Sequence, residues 1–237
     1  MSEDTKHFFT RVETAWNYRR SASTWHFDPE VQGEPTANVN LNFVKFRGDW
    51  SDEIANTDYK WWGKQLCDIG NYIDRLYVQE EIALGVRGDI MGEDCKVTKD
   101  SHPKIWKIVD AMGFMNPKAT LLKHTPGCMA PLHMDSICDG FNRKATVQTK
   151  EDVTNADKTL ARVFIQMTDW SWGQFFLAGN CTWTQWKAGD VMFFDWPNIP
   201  HASANAGHLD RHLLKITGII TDKFRSLLQE KDHIIYI

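Results

Sequence analysis

The chain has 237 residues, of which 42% are hydrophobic and 24% charged, and its formal net charge at pH 7 is −4. This length suits one sizeable domain, and the composition is typical of a globular protein. The slightly acidic balance disfavours a broad nucleic-acid-binding surface, because such surfaces are usually basic.

The cysteines and the first residues bear on the compartment. The chain has five cysteines, an odd number, and no pair has Cys-x-x-Cys spacing. This pattern is typical of free thiols in a reducing compartment. Residues 1–4 are polar and lack a signal-peptide core, and no apolar run approaches bilayer length. We therefore expect a cytoplasmic protein without a membrane segment.

Residues 1–118 predict helices and irregular segments. Between Ile54 and Leu84 the apolar residues recur at steps of three and four, which is helical spacing. A second helix is predicted with Ser101 as its N-cap, Pro103 in its first turn and a stop at Gly113. A strand is predicted near residues 41–44. This part is expected to support the rest of the chain.

From residue 119 onward the pattern changes to short apolar segments separated by turn residues. The predicted strands cover residues 120–124, 130–135, 160–167, 174–177, 182–186, 191–194 and 211–220. Seven or more short strands at this spacing are typical of a sandwich or barrel. We expect one domain with a catalytic core over 119–221 and a C-terminal segment, 222–237, whose helix begins at Lys223.

One connection, residues 136–159, is polar and lacks a periodic pattern. Loops this long within a compact domain are uncommon and often cover active sites. We interpret it as a candidate lid, with a plain surface insertion as the alternative.

Three residues form a candidate metal site. His133 and Asp135 are two apart in a predicted strand, so both project from one face. His201 follows the turn at 197–200. Two histidines and one carboxylate can hold iron(II) on one side, which leaves the opposite side open for a co-substrate and dioxygen. A His-x-Asp pair alone is weak evidence among nine histidines.

Arg211 strengthens this interpretation. It lies ten residues after His201, and a guanidinium can bind a carboxylate through two parallel hydrogen bonds. It could therefore anchor a dicarboxylate co-substrate; an ordinary surface ion pair is the alternative. Strand alternation places Lys215 on the same face as Arg211, which is an awkward position inside a barrel, and directs His212 to the opposite face.

These residues resemble the iron(II)/2-oxoglutarate-dependent oxygenases, with the greatest similarity to their prolyl-4-hydroxylase-like branch. The resemblance covers about residues 119–221. It is carried by the text from Leu121 to Asp135, the strands at 164–170 and 173–176, and the stretch at 187–195 that leads to His201. It implies a mainly β fold with helical additions: a double-stranded β-helix, or jelly roll, supported by N-terminal helices.

The resemblance also implies an activity. His133, Asp135 and His201 would bind Fe(II), and 2-oxoglutarate would bind the iron with its far carboxylate on Arg211. His124 and Gln166 stand where the family often has tyrosine or another polar residue, so both are candidate co-substrate contacts. Dioxygen would oxidise 2-oxoglutarate while an unidentified small molecule or side chain is hydroxylated. Two alternatives remain: a cupin-type metal enzyme that does not use 2-oxoglutarate, and a binding protein on the same fold.

Overall fold

The computed structural model describes residues 39–61, 92–133, 160–179, 181–194 and 201–237. Most of the helix predicted between 54 and 84, and the candidate lid at 136–159, lie outside these ranges. The elements in chain order are β1 (Val39–Arg47), α1 (Ser51–Ala55), β2 (Lys60–Trp61), β3 (Glu93–Val97), α2 (Pro103–Met112), β4 (Met115–His124), β5 (Met129–His133), β6 (Leu160–Gln166), β7 (Gln174–Ala178), β8 (Cys181–Trp183), β9 (Asp190–Phe194), β10 (His201–Asn205), β11 (Arg211–Ile219), α3 (Asp222–Gln229) and β12 (His233–Tyr236).

Two sheets form the molecule. The large sheet has the order β12-β1-β9-β6-β11-β4-β3-β2, and the small sheet has the order β5-β10-β7-β8. The eight strands from β4 to β11 divide equally between them, as β9-β6-β11-β4 and β5-β10-β7-β8. This is the strand arrangement of an eight-stranded jelly roll. The predicted fold, mainly β with helical additions, is confirmed.

The large sheet is buried on both faces. Successive side chains of each strand point to opposite faces, so each strand contributes to both cores. On β11, Leu214 belongs to an outer core with Phe224 of α3, whereas Leu213 belongs to an inner core between the two sheets. The inner core is largely aromatic and comprises Phe164, Phe176, Ala178, Trp183, Trp186, Met192, Phe194 and Leu213. This inner space also contains the candidate site.

Strand β10 was not predicted, and its burial pattern explains why. It runs through His201, Ala202, Ser203, Ala204 and Asn205, and its polar residues are the buried ones. Hydrophobic alternation is therefore inverted, and these residue types also have low β-propensity. The strand is held from both sides, by β5 and β7. Tertiary pairing thus imposes a strand that its own sequence does not indicate.

The prediction of Ser101 as the N-cap of α2 is wrong. His102 occupies that position, without a side-chain capping bond. The Ser101 hydroxyl instead engages Thr98. The carboxylate of Glu53 caps the helix from outside, accepting the backbone N–H groups of Lys104 at 2.7 Å and Ile105 at 2.9 Å. A negative group at a helix N-terminus satisfies free donors and complements the helix dipole.

The C-terminal segment closes the outer core. The Thr221 hydroxyl caps α3 by accepting the N–H of Phe224 at 3.2 Å, and β12 then pairs in parallel with β1. The helical start predicted at Lys223 agrees with α3, although β12 was not foreseen. Over the described ranges, no helix has both the length and the apolar character needed to cross a bilayer.

The cap on α2 gives a stability prediction. Glu53→Gln removes the charge that holds two backbone donors, so we expect the free energy of unfolding to fall by about 1–2 kcal/mol. Urea denaturation measures this loss. Asp52→Asn is the matched control, because Asp52 only pairs with the exposed amine of Lys104 and should cost less than about 1 kcal/mol. Equal losses in both variants would contradict the capping role.

Candidate active site

The two predicted metal-binding histidines lie on neighbouring strands of the small sheet. His201, the first residue of β10, pairs directly with His133, the last residue of β5. Directly opposed positions of an antiparallel pair lie on one face of the sheet. The ring of His201 is buried against two inner-core rings, stacked on Phe176 at 6.2 Å and edge-on to Phe194 at 5.0 Å between centroids. Both positions therefore belong to the inner face.

The third predicted metal ligand, Asp135, lies outside the described residues. Within the described part of the chain, no group of three or more His, Cys, Asp or Glu side chains is arranged to hold a metal ion. The complete triad of His133, Asp135 and His201 therefore stays a prediction.

Arg211 lies inside the jelly roll and is 1% exposed. Its Nε donates to Oε1 of Gln166 at 3.3 Å, and its Nη1 donates to the carbonyl of Phe175, also at 3.3 Å. The guanidinium lies over the rings of Trp186, at 4.9 Å, and Phe176, at 5.7 Å. Burial lowers the pKa of Arg211 to about 9, so the group stays charged at neutral pH.

No carboxylate of the described residues pairs with Arg211. The rings and the two oxygens compensate part of the cost of burial, since cation–π contacts contribute about 0.5–2 kcal/mol each. A buried cation without an anionic partner nevertheless remains costly, on the order of several kcal/mol. The predicted alternative for Arg211, a surface salt bridge, is wrong.

His124 and Gln166 surround the same guanidinium. Residue pairing places His124 directly opposite Arg211, and Gln166 opposite Leu213, two residues further along β11. Gln166 is 0% exposed. Burial, followed by the charge of Arg211 and by His212, lowers the pKa of His124 to about 3, so its imidazole is neutral at working pH.

Each of these three residues has a buried polar atom without a hydrogen-bond partner. The atoms are Nη2 of Arg211, Nε2 of Gln166 and Nδ1 of His124. Buried polar groups are nearly always satisfied in native proteins, so three such atoms on the neighbouring strands β4, β6 and β11 need an explanation. Arginine and glutamine nitrogens are donors, and the cluster carries a positive charge. It fits an acceptor-rich anion such as a carboxylate.

Phe176 and Trp186 complete the site, and sequence reasoning did not identify either residue. Phe176 contacts both the ring of His201 and the guanidinium of Arg211, so it joins the two halves of the site. Alternation along β7 does not show which phenylalanine points inward, because Phe175 and Phe176 are equally apolar neighbours. Trp186 is the last residue of the strand predicted over 182–186, but β8 ends at Trp183, so Trp186 lies in the connection before β9.

The awkward position of Lys215 has a structural answer. Farther along the same inner face, Thr217 of β11 accepts a hydrogen bond at 2.9 Å from Nε of Arg162, a buried residue of the neighbouring strand β6. Lys215 between them is only half-buried. The inner face is thus polar at this end of β11, and the strand register predicted for Arg211 holds.

Comparisons with known proteins found similarities among solved structures only. No family model and no curated protein matches the chain. Among solved structures, it is similar to a viral collagen prolyl hydroxylase from Paramecium Bursaria Chlorella virus-1 in a 2OG complex, with 13% identity and a TM-score of 0.39 over 69% of this chain and 98% of that one. It is also similar to a Pseudomonas putida prolyl-4-hydroxylase, with 14% identity and a TM-score of 0.38 over 72% and 96%.

A cupin 2 conserved barrel domain protein from Salinispora arenicola CNS-205 is also similar, with 10% identity and a TM-score of 0.31 over 57% of this chain and 82% of that one. The strand order of the chain itself defines it as a jelly-roll protein.

Two buried histidines make stability depend on pH. Burial lowers the pKa of His124 to about 3 and that of His212 to about 4, against 6.5 in the unfolded chain. The unfolded state therefore takes up protons below about pH 6.5 while the folded state does not. The contribution of these histidines to the free energy of unfolding is complete above that pH. It is lost as pH falls toward 4, at about 1.4 kcal/mol per pH unit for each histidine.

Urea denaturation between pH 7 and pH 5 measures this slope. His212→Phe should reduce the slope by about one proton, because one of the two groups is gone. His208→Phe, at an exposed histidine, should leave it unchanged. A slope in His212→Phe equal to that of the parent would contradict the assignment.

Proposed function

We propose that this protein is a non-haem iron(II) dioxygenase that couples the oxidative decarboxylation of 2-oxoglutarate to the hydroxylation of a small molecule or a side chain. The observation that carries the proposal is the buried cluster of Arg211, Gln166 and His124. It combines a positive charge with three unpartnered polar atoms, inside the same jelly-roll space that holds His201.

In this proposal Arg211 binds the far carboxylate of 2-oxoglutarate. Its Nη2 is free to donate, and a carboxylate would supply the anionic partner that the described residues do not. Gln166 has two roles. Its Oε1 accepts from Nε of Arg211 and orients the guanidinium, while its free Nε2 can donate to the same carboxylate. His124, whose imidazole is neutral, faces Arg211 across the β4–β11 pair and has its own unpartnered Nδ1.

The metal half of the site rests on His133, Asp135 and His201. These residues would hold the iron, and their oxygen and nitrogen donors suit a divalent iron with open positions. The bound iron would supply the activation of dioxygen on which the hydroxylation depends. Around His201 the rings of Phe164, Phe176 and Phe194 exclude water from the inner face. This shielding strengthens the attraction between Arg211 and a carboxylate, because charges interact more strongly where water is absent.

Arg211→Met tests the co-substrate half. We expect 2-oxoglutarate to bind on the order of tens- to thousands-fold more weakly, because a buried carboxylate would lose its partner at about 2–5 kcal/mol. The free energy of unfolding without ligand should not fall, since a buried and unpaired cation is removed. Anaerobic 2-oxoglutarate titration of the iron-loaded protein measures binding, and urea denaturation measures stability.

Arg225→Met is the matched control, because Arg225 is exposed on α3. It should bind 2-oxoglutarate like the parent. Unchanged binding in Arg211→Met, or a large loss of ligand-free stability with normal binding, would show that Arg211 is structural. An iron-binding parent that does not bind 2-oxoglutarate would favour a cupin-type metal enzyme.

His201→Ala tests the metal half. We expect the loss of iron binding and of 2-oxoglutarate turnover, because two remaining ligands hold divalent iron poorly. Iron is measured by equilibrium dialysis and turnover by succinate formation. His208→Ala, which removes an exposed histidine in the connection before β11, should keep both. Near-normal iron affinity in His201→Ala would rule out His201 as a ligand.

A further inference from the structure

A second cavity lies on the other face of the large sheet. It has a volume of about 510 Å³. Its walls come from the segment 48–59 and from residues in or next to the strands β4, β6 and β11. That volume is within the range of small-molecule sites. The apolar part of the lining includes Trp50, Ile54 and Met167. We call this space the outer cavity.

Two unpartnered polar atoms line the outer cavity. His212 is 8% exposed, and its buried Nδ1 has no hydrogen-bond partner. The hydroxyl of Tyr59 is also buried and without a partner. The two rings lie 5.7 Å apart, so one small group could contact both. As at Arg211, such atoms in a native protein indicate a missing partner.

The outer cavity and the candidate active site share three strands. Lys123, Met167 and His212 line the outer cavity, and each is the chain neighbour of a residue of the inner cluster. Neighbours on a strand point to opposite faces, so the sheet itself separates the two spaces. A molecule in the outer cavity is therefore kept from the His201 side of the sheet. This site is distinct from that of a hydroxylated substrate.

We propose that the outer cavity binds a small neutral ligand with a flat apolar ring and an amide-like donor and acceptor. The ring would pack between Trp50, Ile54 and Met167, and the polar end would pair with His212 and Tyr59. This inference does not depend on the proposed dioxygenase activity.

The charges around the outer cavity favour a neutral ligand. The lining carries the carboxylates of Asp49 and Asp210 and the amine of Lys123. That amine already lies near two carboxylates, 3.4 Å from Asp210 and 3.5 Å from Glu93. An anion would have to compete for it, and a cation would lose its hydration against the apolar part of the lining. Burial lowers the pKa of His212 to about 4, so the imidazole is uncharged at neutral pH.

Nuclear magnetic resonance with three probes of similar size tests the proposal: benzamide, benzoate and benzylamine. The reporter is the indole N–H of Trp50, which donates to the carbonyl of Met167 at 2.8 Å. Benzamide should shift this signal in a saturable titration and leave that of Trp172, which is 82% exposed, unchanged. Benzoate and benzylamine should bind about tenfold more weakly or not at all.

Two variants locate the binding. His212→Phe keeps a ring but removes the polar atom, so benzamide should bind about tenfold more weakly, as for one lost hydrogen bond. Ala55→Phe fills the outer cavity from the exposed end of α1 and should abolish the shift. His208→Phe is the matched control and should bind like the parent. No saturable shift with benzamide, unchanged binding in both variants, or tighter binding of a charged probe would overturn the proposal.

Discussion

The buried guanidinium of Arg211 is the constraint on which the site depends. A charge that is 1% exposed has to be compensated by its surroundings, and here two oxygens and two aromatic rings do so only in part. The groups that contact it come from β6, β7 and the connection before β9. One side chain thus fixes how both sheets pack around the inner space. The remaining deficit is the observation on which the proposed carboxylate partner rests.

Strand alternation lets the same three strands serve two spaces. Residues 123–124, 166–167 and 211–212 each direct one side chain to the inner cluster and its neighbour to the outer cavity. Unpartnered polar atoms lie on both faces of these strands, and elsewhere in the described chain the others are on Tyr59, which also lines the outer cavity, and on Asn42. Natural proteins retain such local costs mainly where function requires them. Both clusters therefore differ from the apolar packing that surrounds them.

The sequence predicted what depends on local periodicity. The strands around Arg211, Gln166 and His124 were recognised because short apolar segments are separated there by turn residues, and alternation along the strand placed Arg211 and His212 on opposite faces. The predictions failed where distant segments decide the structure. Strand β10 depends on its pairing with β5 and β7, and the start of α2 depends on Glu53, about fifty residues earlier. The outer cavity was not predicted either, because its lining comes from segments that are distant in sequence.

Strand β10 explains the ten-residue spacing between His201 and Arg211. Five residues of this strand place Asn205 roughly 13 Å beyond His201, at about 3.3 Å per residue. Asn205 then donates to the carbonyl of His124 at 2.7 Å, and His124 pairs directly with Arg211. Phe176 bridges the two groups, because its ring lies 6.2 Å from the ring of His201 and 5.7 Å from the guanidinium of Arg211. In the proposed function, a ligand that joins the two carries its carboxylate and its metal-binding group at opposite ends, as 2-oxoglutarate does.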